Sequence, residues 1–208
     1  MNRHTVVQGD SLSSIAAAFG ANWKTVWSHA DNAPLRARRK DPNVLYPGDV
    51  VIIPEKETRL EHGASDARHR FVRKGVPDKL EIRLLKDFKV RAHVAYSLVV
   101  DSKTTPGTTD ADGWVRAWIS PLARDVRLVL EGGKEEYVLA LGHVDPIDTI
   151  SGVQARLCNL GFFSAAVTGE LNNDTRDALS AFQRANGVPA TGEADAATMH
   201  QLEKEYGC

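Results

Sequence analysis

The sequence predicts a multidomain α+β chain made of a small βααβ module, a β-sandwich and a three-helix bundle in that order. Three observations predict it. Apolar residues recur at helical spacing between two short β-branched runs in residues 1–55, then fall into short period-two runs between Leu80 and Leu141, then return to helical spacing from Val153. A length of 208 residues exceeds one average domain, and 42% hydrophobic with 25% charged residues gives each module enough apolar content for a core. The divisions fall at 1–55 for the first module, 56–75 for a linker or irregular leading strand, 76–144 for the sandwich and 145–208 for the helical module.

In the first module Thr5, Val6 and Val7 predict a strand stopped by Gly9. Asp10 or Ser11 then caps a helix whose inward positions are Leu12, Ile15, Ala16 and Phe19, with Gly20 ending it. Trp23, Val26 and Trp27 mark a second helix. After a long basic loop, YPGDVVIIP gives a turn at Pro47-Gly48 and a strand from Val50 to Ile53. That loop, APLRARRKDPNV, carries Arg36, Arg38, Arg39 and Lys40 and is expected to be solvated.

These residues resemble the LysM family: VVQGDSLSSIAAAFG, Asn32 and LYPGDVVIIP stand as its opening, middle and closing landmarks. The resemblance covers Met1 to about Glu55. It implies binding of N-acetylglucosamine-containing glycans, chiefly peptidoglycan or chitin, in a groove between the loop after the first strand and the loop before the last. By position that groove is Gly9, Asp10, Ser11 and Leu12 facing Asn43, Val44, Leu45 and Tyr46. Backbone polar groups would read the sugar, and Tyr46 would offer its ring an apolar platform. A purely structural role as turn and cap is open for Gly9 and Asp10. The basic loop is longer than the family's common connection. Beside the groove it either blocks glycan or contacts a protein or a teichoic-like anion.

The segment LEHGASDARHR, Leu60 to Arg70, is polar and aperiodic. Beyond it LEIRLL, AYSLVVD, WVRAWI, VRLVLE and EYVLAL read as strands, with DSKTTPG and TDADG as hairpin turns between some of them. Trp114 and Trp118 share one sheet face, where packing against a core or a neighbouring domain is expected. Asp110 and Asp112 before Gly113 read as turn residues; a calcium loop of the EF-hand kind would need a downstream bidentate acid that is missing. The segment resembles the immunoglobulin-like and transthyretin-like domains that recur as spacers.

In the last module Val153, Leu157 and Leu160 mark one helix, closed by Gly161. Asp174 or Thr175 begins a second, with Ala178, Leu179 and Phe182 inward and Gly187 at its end; Ala196 to Leu202 form a third. The landmarks VQARL, LGFF, TGEL, DTRDALSAFQRANGV and TGEADAAT closely resemble the peptidoglycan-binding domain found beside cell-wall hydrolases. The resemblance covers about Asp145 to Tyr206 and implies a shallow wall-contacting groove before and along the second helix. By position its residues are Phe163, Thr168, Asn172, Asn173, Asp174, Arg176 and Gln183. Asn, Arg and Gln can read acetamido and lactyl oxygens. Some members of that family bind proteins instead.

Chemistry finds no convergent set in the sequence. The seven histidines are scattered over three modules without an HxxxH pair, and no GxSxG, Walker loop or GxGxxG occurs. Cys158 lies in a helical pattern with no His or acidic partner beside it, and with Cys208 it makes neither a disulfide framework nor a metal site. The expectation is a non-enzymatic protein with no cofactor and no metal. A net charge of −1 sets up no field toward nucleic acid, and no run is long enough for membrane insertion.

The function expected is that of a peptidoglycan-binding adaptor. The LRARRKDPNVLYPGD ending is similar to LysM forms associated with contractile injection machines such as type VI secretion systems, tail-like particles and phage baseplates. In the second reading the modules are docking platforms for spike, baseplate or effector proteins; in a third the chain brings a separate lysozyme or amidase to the wall. The polar QGDS segment interrupts any leader pattern within ten residues, so the expected location is the cytoplasm at synthesis, with delivery by such a machine to the periplasm or a target cell.

Overall fold

The computed structural model describes residues 1–55, 62, 65–68, 77–86 and 88–207. Most of the expected linker, 56–75, therefore lies outside the described residues.

The first module pairs β1 (Asn2–Thr5) antiparallel with β2 (Val50–Ile53), Asn2 opposite Ile53 and Thr5 opposite Val50. The strand thus begins earlier than Thr5-Val6-Val7 predicts, because the ladder is set by the length of β2; Val6 still donates to Asp49 O at 2.8 Å. Helix α1 (Leu12–Ala18) is capped by Ser11, whose hydroxyl accepts from Ser14 N while the Ser14 hydroxyl accepts from Ser11 N. Helix α2 (Trp23–Ser28) follows, capped by Asn22. Asn32 is buried and ties α2 to the sheet: its amide nitrogen donates to Val26 O and Ile52 O, both at 2.7 Å, and its oxygen accepts from Ile52 N at 2.8 Å.

The expected basic loop is in part a helix, α3 (Ala33–Arg38), which follows a 3-10 turn at Ala30–Asn32 and adds a third α-helix to the two expected between the strands. Pro34 sits in its first turn, where a missing N–H costs nothing. Its Leu35 joins Val6, Leu12, Ile15, Ala16, Val26, Leu45, Val51 and Ile53 in the core.

The middle module is a sandwich of a four-stranded and a two-stranded sheet. The larger sheet has the order β10-β9-β6-β7, from β6 (Ala95–Val100), β7 (Lys103–Thr108), β9 (Asp125–Leu130) and β10 (Glu135–Ala140). The smaller pairs β3 (Asp78–Arg83) with β8 (Trp114–Ile119), and a short hairpin joins β4 (Leu85–Lys86) to β5 (Lys89–Val90). Leu80 and Val115 from one sheet meet Leu98, Val126, Leu128 and Leu130 from the other. Two expectations are corrected. Lys103 to Thr108 is a strand, not a turn; the turn is Asp101-Ser102, both at positive φ, and Pro106 is tolerated because β7 is an edge strand. TDADG makes no hairpin, since it carries the chain from one sheet to the other.

The last module contains α4 (Ile150–Asn159), α5 (Asn173–Ala185) and α6 (Ala196–Tyr206) around Val153, Leu157, Phe163, Leu179, Phe182 and Leu202. The cap of α5 is Asn172, accepting from Thr175 N at 2.9 Å, rather than Asp174 or Thr175. The modules touch. Phe88 beside β5 stacks at 4.9 Å between ring centres on Phe162, which meets Phe182 edge-on at 5.4 Å.

Candidate functional site

The loop after β1 is short because Gly9, at φ 88°, reverses the chain into the cap of α1. Every backbone N–H from Gly9 to Leu12 has an acceptor inside the chain: Gly9 donates to Gly142 O at 3.2 Å, Asp10 to Val7 O at 3.0 Å, Ser11 to Ser14 Oγ at 3.0 Å and Leu12 to Pro42 O at 3.1 Å. Leu12 and Leu45 are core residues. Across from the loop Asn43 is exposed and accepts from Ser13 Oγ at 3.2 Å; Val44 is half-buried. Tyr46 is 38% exposed, with the Arg39 guanidinium 5.6 Å from its ring centre. Of the expected groove, then, Asn43 and Tyr46 present open side-chain surface, Ser11 presents some, and Gly9, Asp10, Leu12 and Leu45 are buried.

Asp10 does not cap the helix. Its buried carboxylate folds the loop, accepting from Val7 N at 3.1 Å, meeting His4 Nε2 at 2.7 Å and lying 3.4 Å from Arg124. Burial pushes this carboxyl up, but the hydrogen bonds from His4, Val7 and Arg124 and the charge of His4 outweigh it and hold the group below the usual carboxylate range.

The basic residues divide. Arg36 donates to Trp27 O and, at 2.8 Å, to His29 O, so it holds the end of α2. Arg39 is buried: its Nε donates to Asp49 Oδ2 at 2.7 Å and its Nη1 lies 3.3 Å from Asp148 of the last module. Only Arg38 and Lys40 remain as exposed cations there. The solvated basic loop expected from sequence is instead a helix with two of its four cations spent inside the chain.

In the last module, one polar device is built twice. TGELNNDT (Thr168–Thr175) and TGEADAAT (Thr191–Thr198) are eight-residue turns of one pattern, each leading into a helix. Gln154 reads the first: its Nε2 lies 2.8 Å from Thr175 Oγ1 and 3.0 Å from Glu170 O, and its Oε1 accepts from Gly169 N at 2.8 Å. Gln183 reads the second in the same way, at 2.8 Å to Thr198 Oγ1, 3.0 Å to Glu193 O and 2.9 Å from Gly192 N. Gln183, expected on the glycan surface, is thus fully buried, and Phe163 is a core residue. Thr168 and Asn172 are exposed but spend polar atoms on the turn and the cap. Asn173 and Asp174 are exposed at the first turn of α5, and Arg176 is half-buried in an ion pair with Glu193.

What remains open is one surface: the turn up to Thr168, the start of α5 and the Arg176–Glu193 pair. Val167, which sequence reasoning missed, supplies 49% exposed apolar surface at its edge. The repeat of TGE and a following Thr was the sequence signal for the two buried glutamines. Arg124, Gly142 and His143, which cover the first loop, carried no such signal, because they come from another module.

In the middle module Trp118 is 71% exposed, which corrects the expectation of packing; β8 turns Val115, Ala117 and Ile119 inward instead. Asp110 is spent on the turn, accepting from Trp114 N at 2.9 Å and Asp112 N at 3.0 Å and pairing with Arg116. No cluster of three or more His, Cys, Asp or Glu able to hold a metal ion occurs among the described residues.

Comparison with known proteins accounts for both ends. Residues 4–54 match the family model of the LysM domain, and residues 148–202 match that of a peptidoglycan binding domain. No curated protein and no solved structure gives a match. The chain thus carries a LysM domain at one end and a peptidoglycan-binding domain at the other.

Proposed function

We propose that the chain is a non-catalytic peptidoglycan-binding protein that holds the wall chiefly through the surface around Thr168, Asn173, Asp174 and Arg176. Both matched domains are wall-binding modules, which supports the class of ligand. The observation that carries the choice of surface is the contrast between the two ends. The loop at Gly9–Leu12 has all its backbone donors engaged, while the start of α5 exposes the Asn173 amide and the Asp174 carboxylate, with Arg176 of the same helix held in an ion pair with Glu193 and Val167 exposed in the preceding turn. Such shallow sites bind weakly, and a second module on the same polymer adds avidity only where both reach it. Sedimentation of the full chain with purified sacculi tests the reading. Retention that falls in Arg176→Ala supports it; no retention at low salt defeats it.

A second reading makes the modules protein-docking platforms in a contractile injection machine, which would also carry the chain to the wall. What favours it is that the loop at Val7–Asp10 already holds a peptide turn of its own chain. Co-purification with spike or baseplate proteins from cells would support it, and a protein found only with the wall would count against it.

A further inference from the structure

The loop after β1 is closed by another module. Gly142 O accepts from Gly9 N at 3.2 Å, Arg124 Nη1 donates to Gly9 O at 2.6 Å, and Gln8 Nε2 donates to His143 O at 3.2 Å. Both peptide groups of Gly9 are therefore matched, donor and acceptor, by the segment that follows β10 and by the arginine that precedes β9. The fit leaves no spare room. A Cβ on Gly142 would lie 2.7 Å from Gly9 O, and one on Gly9 would lie 3.1 Å from the His143 ring. The guanidinium of Arg124 also reaches the buried Asp10 carboxylate at 3.4 Å, so the contact is charge-assisted as well as shaped.

A peptide carbonyl on an N–H and an N–H donor on the neighbouring C=O are the two bonds that an acetamido group makes, since it carries the same amide. We propose that the turn Leu141–His143 with Arg124 acts as an internal pseudo-ligand of the LysM domain, so that an N-acetylated glycan and the middle module compete for the Gly9 peptide groups. This rests on the reading of the chain as a glycan binder. In the closed form the LysM domain is held against the sandwich and the last module alone faces the wall. Glycan capture at Gly9 releases the sandwich and frees the LysM domain to reach a second strand. The closed population lowers the apparent affinity of the loop by the fraction that is open.

The test uses the full chain, an N-acetylglucosamine hexamer as the probe, and two variants that open the contact by different means. Arg124→Glu sets like charges against Asp10, and Gly142→Ala places a methyl group on Gly9 O. Hydrogen exchange is followed in the peptides covering Val7 to Leu12 and Leu141 to His143, beside calorimetric titration of the hexamer. Both variants are expected to exchange faster at the two peptides and to bind the hexamer about tenfold more tightly than the parent. In the parent the hexamer should speed exchange at Leu141 to His143. Equal affinity of parent and opened variants overturns the competition and leaves the glycan reading standing. No binding by either opened variant overturns both.

Discussion

Gln154 and Gln183 occupy equivalent places in two halves of the C-terminal domain, each lying 2.8 Å from the hydroxyl of the threonine in the first turn of the next helix. The two are fully buried polar side chains whose amides replace water for a turn and a helix start at once. Neither can be exchanged for an apolar residue without stranding those turn groups.

Gln183→Ala is therefore expected to destabilise the C-terminal domain by about 3 kcal/mol, through unsatisfied turn donors and the cavity left behind. Urea unfolding followed by exchange in α5 checks it. Arg184→Ala, an exposed change one position on, should cost less than about 0.5 kcal/mol.

Arg39 makes a similar distinction in the LysM domain. Its loss would leave the buried Asp49 carboxylate with Tyr46 N at 2.9 Å and the exposed Arg38 at 3.7 Å, and without its buried cation. Arg39→Ala should cost about 3 kcal/mol, and Lys40→Ala should be nearly neutral. Thermal unfolding of the two variants separates them, and equal effects would return the segment to the solvated loop read from the sequence.

Acid should weaken the fold of the loop after β1, where Asp10 meets His4 and Val7 N. The Asp10 carboxyl is held below its ordinary value of 3.8, so the unfolded chain takes up its proton first as pH falls. Its contribution is complete above that ordinary value and is lost as pH falls through the lower folded one. In Asp10→Asn the unfolding midpoint of the first module should lose most of its dependence on pH below about 4. An unchanged acid limb would show that other carboxylates carry it.

Surface changes in the C-terminal domain should act on binding without unfolding. Asn173→Ala and Arg176→Ala are each expected to lower sacculus affinity about fivefold, the value of one hydrogen bond, with unchanged urea midpoints. Trp118→Ala, on an exposed sheet face of the middle module, should leave it unchanged.

The sequence made the elements with local causes legible. The capped start of α1 at Asp10 or Ser11, the apolar stripe Leu12, Ile15 and Ala16, the Pro47-Gly48 turn and the three terminal helices were all readable from cap, period and turn chemistry. Where local chemistry pointed two ways the reading failed. Pro34 and a run of cations looked like loop, yet the proline occupies the helix start and the cations find acceptors at Trp27, Asp49 and Asp148. Lys103 to Thr108 looked like a turn because of Pro106 and Gly107, and only the edge position of β7 makes that strand possible. The candidate site was half legible for a different reason. Position along a family pattern names the residues of a groove but not which of them face inward, so Leu12, Leu45, Phe163 and Gln183 fell among the contacts when they belong to cores. The cover on Gly9 comes from residues more than a hundred positions away, beyond the reach of any period or spacing.

Wall binding at the start of α5 is tested most directly by hydrogen exchange of the full chain with and without soluble peptidoglycan fragments. Added protection is expected first at Val167 through Arg176 and the Glu193 turn. Protection elsewhere with none in that stretch, or no protection at saturating fragment, would contradict it.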